Sequence, residues 1–419
     1  MLRSIGTGDH KAGYDELDHA RKQLRAPTFV SLFSGCGGFD LGFAQAGFQS
    51  LAAYDFWAPA VANFNANIGG ECRVQDLSNG FVPSYVGCDV VLAGAPCQGF
   101  STVGKRDLDD PRNSLLDHAV TISLALKPQV IILENVPGVL LGDHSRYWSC
   151  AKQRVSRGGY EVHQVELDAR DFGLPQSRRR VVLVAVRGTL RDLSFSARHP
   201  GALKDVIQGA GLANNHQPKF LAETSRDGII ARAIGPGQKL CDVRGGASSV
   251  HTWDIPSVFG ETTEAEREVL QTIMILRRRN RIRAFGDADP VSIGALAKEI
   301  GRGVKRSLSV LERKGYVKLA EGHANLRHGF NGKYRRVSGD SVSCTVHTQF
   351  GEPKYFLHPF EHRGFTVREA ARIQGFPDSY NFQGAVKDQY RMIGNAVPPP
   401  LGRALAESLM KSYFRKLRQ

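Results

Sequence analysis

Cys97 is set apart from the other six cysteines by its neighbours. It follows the apolar run Val90-Val91-Leu92-Ala93-Gly94-Ala95 and is bracketed as Pro96-Cys97-Gln98-Gly99. Pro96 fixes the backbone that enters the cysteine, and Gly94 and Gly99 let the chain pass close to a ligand. A free cysteine at a strand end is often only a small buried hydrophobe. Lifted from the carboxyl end of a strand on a tight turn, it is instead a thiol presented for attack. Glu134 ends a second apolar run, Val130-Ile131-Ile132-Leu133. A carboxyl group at such a tip is poorly solvated, so its pKa rises and it can hold a proton near neutral pH. Arg178 and Arg180 alternate toward one face just before the apolar residues 181–186. An arginine triplet is usually a solvated face, but this one runs straight into a strand, which predicts at least one guanidinium held at the site.

The elements that must position these groups follow an α/β rhythm. Residues 28–33 read as a short strand, Ser34-Gly35-Cys36-Gly37-Gly38 as a glycine turn, and residues 39–47 as a helix. Strand, glycine turn and helix open a Rossmann-like nucleotide site. About 20 residues on, Ala52-Ala53-Tyr54-Asp55 ends a second strand with an acid, where a ribose hydroxyl can be bound. Asp55 could equally cap a helix, and Phe56 could stack on an adenine or simply pack. Asp76 follows a third short strand, residues 89–93 form the fourth and 128–133 the fifth. Residues 160–167 and 181–186 are two more. The rhythm stops near residue 188 and resumes at Thr366, which caps a helix, so the chain leaves the first domain and returns to it. Tyr390-Arg391-Met392-Ile393-Gly394-Asn395-Ala396 then precedes a final helix over 401–410.

In order and spacing these blocks resemble the motif set of the DNA cytosine C5-methyltransferases over about residues 27–190 and 340–412. The resemblance implies an α/β fold: a Rossmann-like methyltransferase sheet that binds S-adenosylmethionine (SAM), with an inserted target-recognition domain. The organisation expected is an extension (1–26), a catalytic domain (27–190), a recognition domain (191–360) and a return segment (361–419). By resemblance, Phe33, Gly35, Cys36, Gly37 and Gly38 take the amino-acid end of SAM, Asp55 its ribose, Phe56 the adenine face, and Asp76 with Leu77 the adenine edge. Pro96, Asn395 and Ala396 complete that pocket. Cys97 is implied to add to C6 of cytosine, which makes C5 nucleophilic toward the SAM methyl, with S-adenosylhomocysteine as product. Glu134 at N3 and Arg180 at O2 would stabilise the charge that develops, and Arg178 would support the loop and lower the thiol pKa. Gln98, Ser101 and Thr345 are implied to meet DNA. Two departures stand out: the second strand ends in Asp55-Phe56, the shorter form of an acid-aromatic pair, and Thr345 is followed by Val346 where the family has leucine.

Composition agrees with a polyanionic partner. Among 419 residues, 55 Lys and Arg face 41 Asp and Glu, a net charge of +14, and such a balance points to nucleic acid. No apolar run approaches the roughly 20 residues of a membrane span, and the start lacks a signal core. A cytoplasmic, DNA-associated bacterial protein is expected, a monomer acting on double-stranded DNA apart from a cognate restriction endonuclease. Seven cysteines without a Cys-x-x-Cys pair argue against disulfides and a zinc site, so no metal is expected. Within the second region, residues 266–280 read as an amphipathic helix ending in Arg277, Arg278 and Arg279. Residues 291–300 and 304–314 resemble a helix-turn-helix bearing Arg306, with 315–319 and 333–337 as a wing. The segment 262–337 is thus either a winged helix on DNA or a helical scaffold. A nicotinamide-dependent oxidoreductase would share the glycine turn but not Pro96-Cys97-Gln98. A catalytically inactive DNA-binding regulator would be free to lose Cys97, Glu134 or Arg180, and a tRNA cytosine methyltransferase would share the chemistry.

Overall fold

Three largely apolar strands, residues 28–32, 90–93 and 130–135, run parallel at the centre of the first unit and are buried on both faces, the pattern of a sheet covered by helices on each side. The computed structural model describes residues 25–96, 114–281, 289–301 and 303–415. Its contacts divide the chain into one unit of residues 1–201 and 371–419 and a second of 202–370. The first unit holds β1 (Thr28–Leu32), α1 (Gly38–Gln45), β2 (Gln49–Asp55), α2 (Ala58–Asn67), β3 (Cys72–Val74), β4 (Val90–Ala93), α3 (Leu115–Leu126), β5 (Val130–Asn135), α4 (Ser145–Arg157), β6 (Glu161–Asp168) and β7 (Arg179–Val186). The returning chain adds α5 (Val367–Gln374, which straddles the boundary), α6 (Val386–Asn395) and α7 (Pro399–Leu409).

The sheet order is β3-β2-β1-β4-β5-β7-β6. β7 is antiparallel to both β5 and β6, an orientation that residues 160–186 do not betray by composition. Its consequence is local: β7 begins beside the carboxyl end of β5, so Arg178 and Arg180 come to the edge where the other strands end. The order reverses between β1 and β4, where open α/β sheets form their crevice. One face of the sheet packs Leu116, Val120, Trp148 and Val155 of α3 and α4. The other packs Phe39 and Phe43 of α1 against Leu401, Leu405 and Leu409 of α7. That second contact needs missing side chains: a Cβ on Gly42 would lie 2.4 Å from the Pro399 carbonyl oxygen. Helices α2, α3, α4 and α6 lie where the sequence alone indicated no helix.

In the second unit the helix Glu264–Arg279 begins at a capping box in which Thr263 and Glu266 hold each other's backbone N–H groups. It packs with helices Ile293–Ile300 and Val304–Arg313 around Leu270, Ile273, Leu296, Leu308 and Leu311. The expected wing is only half as read. Val317–Ala320 pairs with His323–Leu326 through Glu321-Gly322, both at positive φ, a tight hairpin turn. Residues 333–337 belong elsewhere: Asn331–Lys333 pairs with Lys239–Cys241, and Arg335–Arg336 with Phe356–Leu357. Val291–Ser292 is strand rather than helix. Among the described residues no helix is long and apolar enough to cross a membrane.

Candidate active site

The turns that follow β1 to β5 meet the returning chain around a cavity of about 1020 Å³. Phe33, Gly35, Cys36 and Gly38 line it from the β1 turn, Asp55, Phe56 and Trp57 from the β2 turn, and Asp76 and Leu77 from beyond β3. Pro96, Glu134, Arg178, Arg180, Arg391, Asn395 and Ala396 line it too. Gly37 is different. Its added Cβ would strike Ile68 and Phe64 at 2.1 and 2.7 Å, so this glycine serves the packing of α2 and not the cavity wall. Gly35, at φ +56, has open space where a Cβ would stand, which leaves room for a ligand against bare backbone.

Asp55 is fixed by two backbone donors: Gly35 N–H to Oδ2 and Trp57 N–H to Oδ1, both at 2.8 Å. Burial raises its pKa, while those N–H groups and Arg391 pull it back. Phe56 is 61% exposed with its ring at the cavity, a free aromatic face beside a carboxylate. Asp76 is exposed and accepts from the Ser78 N–H and hydroxyl, which lower its pKa. Cys36 is buried, its thiol pushed up to about 12 by burial, so it contributes packing and backbone. Asp40, also at the cavity, is fully buried, and burial pushes its carboxyl up to about 7.

Glu134 and Arg180 form the charged centre. Glu134 Oε1 lies 2.6 Å from Arg180 Nε, and the residues are 7% and 8% exposed. Burial raises the Glu134 pKa, opposed by Arg180 and Arg178. Asn135, to which the sequence alone gave no role of its own, ties this strand tip to the thiol loop: its Nδ2 donates to the Ala95 carbonyl at 3.4 Å. Arg178 donates to the carbonyls of Gly394 and Ala396 at 2.9 and 2.8 Å, and so braces the returning turn. Gln176 donates to the Ile373 carbonyl and Gln374 Oε1, and Gln374 Nε2 to the Ala396 carbonyl. Trp57, His118 and Arg391, which line the cavity, and Gln176 were not singled out from sequence; the partners of Gln176 and Arg391 lie far along the chain.

Cys97, Gln98 and Ser101 lie outside the described residues; the chain reaches them through Pro96 at the cavity. Of the residues expected on DNA, Arg277 is 6% exposed, its helical position turning it into the core of the second unit, out of reach of a phosphate. Arg278, Arg279, Arg306 and Thr345 are exposed, and Arg279 pairs with Glu299.

The model of the C-5 cytosine-specific DNA methylase family matches residues 27–411. The chain is 30% identical to the Type II methyltransferase M.XorII of Xanthomonas oryzae pv. oryzae, across 94% of this chain and 87% of that protein. It is 31% identical to the Type II methyltransferase M.AgeI of Thalassovita gelatinovora, across 91% of this chain and 98% of that one. Its fold is that of a protein encoded within an E. coli prophage and described as a DNA modification methyltransferase, with a TM-score of 0.56, 22% identity, and 92% and 99% of the two chains covered. Since the family match begins just before the first strand and ends just past the last helix of the returning segment, this chain belongs to the C-5 cytosine-specific DNA methylases and is a DNA cytosine-5-methyltransferase.

Proposed function

We propose that the protein methylates C5 of a flipped cytosine within a specific duplex site through a covalent bond between Cys97 and C6, using SAM. The observation that carries this reading is the convergence on one cavity of Pro96, which leads into Cys97, the buried Glu134–Arg180 pair, and the Asp55–Phe56 pocket. The cavity suits the cofactor: its volume is ample, Gly35 leaves a cradle of bare backbone, and an exposed aromatic face adjoins a fixed carboxylate. Phe33, Gly35 and Gly38 would hold the amino-acid end, Asp55 the ribose hydroxyls, Phe56 the adenine face, and Asp76 with Leu77 its edge. Gly37, set against α2, would only hold the turn in shape. When bound, SAM supplies a methyl group activated by its sulfonium.

The chain's own groups do the rest. The Cys97 thiolate adds to C6 of the cytosine, and the electrons displaced from the C5–C6 bond pass toward N3 and O2. Glu134, its pKa raised by burial, would hydrogen-bond N3, and Arg180 would face O2. C5 is then electron-rich and takes the methyl. Loss of the C5 proton to a base expels Cys97 and restores the ring. Arg178 would act by bracing Asn395 and Ala396 over the pocket. C5 and C6 are shielded in a duplex, so the base is flipped out at a cost of about a few kcal/mol. Arg278 and Arg306 of the second unit would contact DNA, with the helix-turn-helix and its hairpin as a winged-helix reader. The Type II names of the relatives support a modification enzyme paired with a separate endonuclease; the enzyme would act as a cytoplasmic monomer.

Transfer of labelled methyl from SAM to duplex DNA, but not to tRNA, tests the substrate. DNA carrying 5-fluorocytosine, which cannot lose the group at C5, should trap the wild type in an adduct stable to denaturant and leave Cys97→Ser free. If the wild type methylates DNA yet forms no adduct at its own site, the covalent route is wrong.

A further inference from the structure

The guanidinium of Arg391 lies 4.2 Å from the centre of the Trp57 ring, and both residues line the cavity. They arrive from distant parts of the sequence: Trp57 is the N-cap of α2, and Arg391 lies within α6. The other two cavity arginines are committed, Arg180 to Glu134 and Arg178 to two carbonyls. Arg391 forms no salt bridge among the described residues, yet its charge acts on Asp55. The indole is a spacer. It holds the guanidinium near enough to favour an ionised Asp55, but keeps it from occupying the carboxylate. An ionised carboxylate offers about four acceptor positions, and the Gly35 and Trp57 N–H groups take two. The remainder stay open to a pair of hydroxyls.

We propose that Arg391 is a positioning residue for the cofactor site: stacked on Trp57, it steadies the backbone N–H that orients Asp55 and sets a positive charge beside that carboxylate. This rests on the SAM reading above. Arg391 does not touch the reacting atoms; it acts through Trp57 and Asp55. The stack also ties the returning chain to the β2 turn, so the pocket for the ribose is completed from both sides.

The test is calorimetric binding of S-adenosylhomocysteine and of SAM to the full-length protein across roughly pH 5 to 8. Besides Arg391, the titratable groups that act electrostatically near Asp55 are Cys36 on the β1 turn, Asp40 on α1 and Cys72 on β3. The thiols stay protonated throughout, and an Asp40→Asn background removes the remaining acid. The working form of Asp55 is the carboxylate, because both oxygens already accept N–H bonds. Without the guanidinium its protonation moves to higher pH, so binding should fail earlier as the pH is lowered. Arg391→Gln should weaken binding about threefold near pH 8 and by a clearly larger factor near pH 5, the gap between the two pH values being the readout. Arg391→Lys keeps the charge and a cation–π contact and should stay within about threefold of wild type across the range. In Asp55→Asn the pH dependence should flatten and the effect of Arg391→Gln should shrink, as coupled residues require. Parallel pH profiles for wild type and Arg391→Gln would reduce Arg391 to packing and overturn the proposal, as would a lysine variant as weak as glutamine. Wild-type protein that binds neither ligand sinks the cofactor reading itself, which distinguishes that failure from this one.

Discussion

Glu134→Gln separates what the Glu134–Arg180 pair does for the fold from what it does for the reaction. The two groups are 2.6 Å apart and nearly buried. Truncating one member of such a pair strands a charge and costs about 3–5 kcal/mol. Glutamine keeps the shape and an oxygen that accepts from Arg180, so the loss should be about 1–2 kcal/mol, the charge-assisted part of the bond. Against a total of about 5–15 kcal/mol the variant stays folded. The pH dependence has a definite sign. Burial raises the Glu134 pKa, and a raised carboxyl carries a cost that is full above its folded pKa, shrinks as the pH falls through it and is gone below the unfolded value. The glutamine variant has no such titration, so its disadvantage should be smallest at high pH and grow toward acid. Turnover should change far more. Glutamine can still donate an N–H to N3 but has no proton to transfer, and a positioned general acid contributes about 10²–10⁴-fold. Urea unfolding at two pH values gives the first quantity, and single-turnover methyl transfer at saturating SAM the second. A variant that loses stability as stated but transfers methyl within about threefold of wild type would refute the role of Glu134 at the base. One whose SAM affinity falls in step with its rate would move that role to the cofactor.

Asp40 is buried with its carboxyl pushed up to about 7, so its ionisation destabilises the fold fully above that pH and the penalty shrinks as the pH falls toward the ordinary carboxylate range; Asp40→Asn should raise stability at pH 8 by on the order of 2 kcal/mol and by progressively less on acidification, with little effect only at about pH 4 and below, and equal urea midpoints for the two proteins at pH 8 would contradict this. Arg306 is exposed on the helix Val304–Arg313, and if it holds a phosphate, Arg306→Ala should weaken DNA binding uniformly and lower the salt slope by about 0.9; altered preference at one base pair with an unchanged slope would mean a base contact instead. Excising 262–337 would be a poorer test, because Arg336 donates to the carbonyls of Ile234, Ala231 and His358 and the cut would open the second unit.

What was legible in the sequence was local. Strands β1, β4, β5 and β7 are largely apolar runs because both faces of the sheet are covered, and a run of that kind ends visibly, at a glycine turn or at Glu134. The capped helix at Thr366 was legible for the same reason: Thr366 Oγ1 accepts from the Glu369 N–H, and Glu369 accepts from the Thr366 N–H. What depended on orientation or on distant partners was not legible. Nothing in residues 160–186 tells a parallel strand from an antiparallel one, yet that difference sets Arg180 against Glu134. The wing was misplaced because Lys333 to Val337 has strand composition, whereas the hairpin was decided by two positive-φ residues, one of them Glu321. Arg277 read as part of a basic cluster, but helical periodicity turns one of three consecutive arginines inward.

The returning segment gives the cavity a dependence that the strands alone do not have. Asn395 and Ala396 are held by Arg178 and Gln374, which bond the carbonyls of Gly394 and Ala396 across more than 200 residues in the case of Arg178. A Cβ on Gly38 would lie 2.4 Å from the Val397 carbonyl oxygen, so the same turn presses on the glycine loop of β1. Neither contact exists until residues 371–419 have docked, and closing so long a loop carries an entropic cost. A ligand seated between the β1 turn and Asn395 touches both partners of that closure. Its binding should therefore stabilise the docked segment as well as fill the cavity, by an amount set by its concentration over its dissociation constant. The first strands supply the chemistry; whether they face a closed pocket is decided by the last helices of the chain.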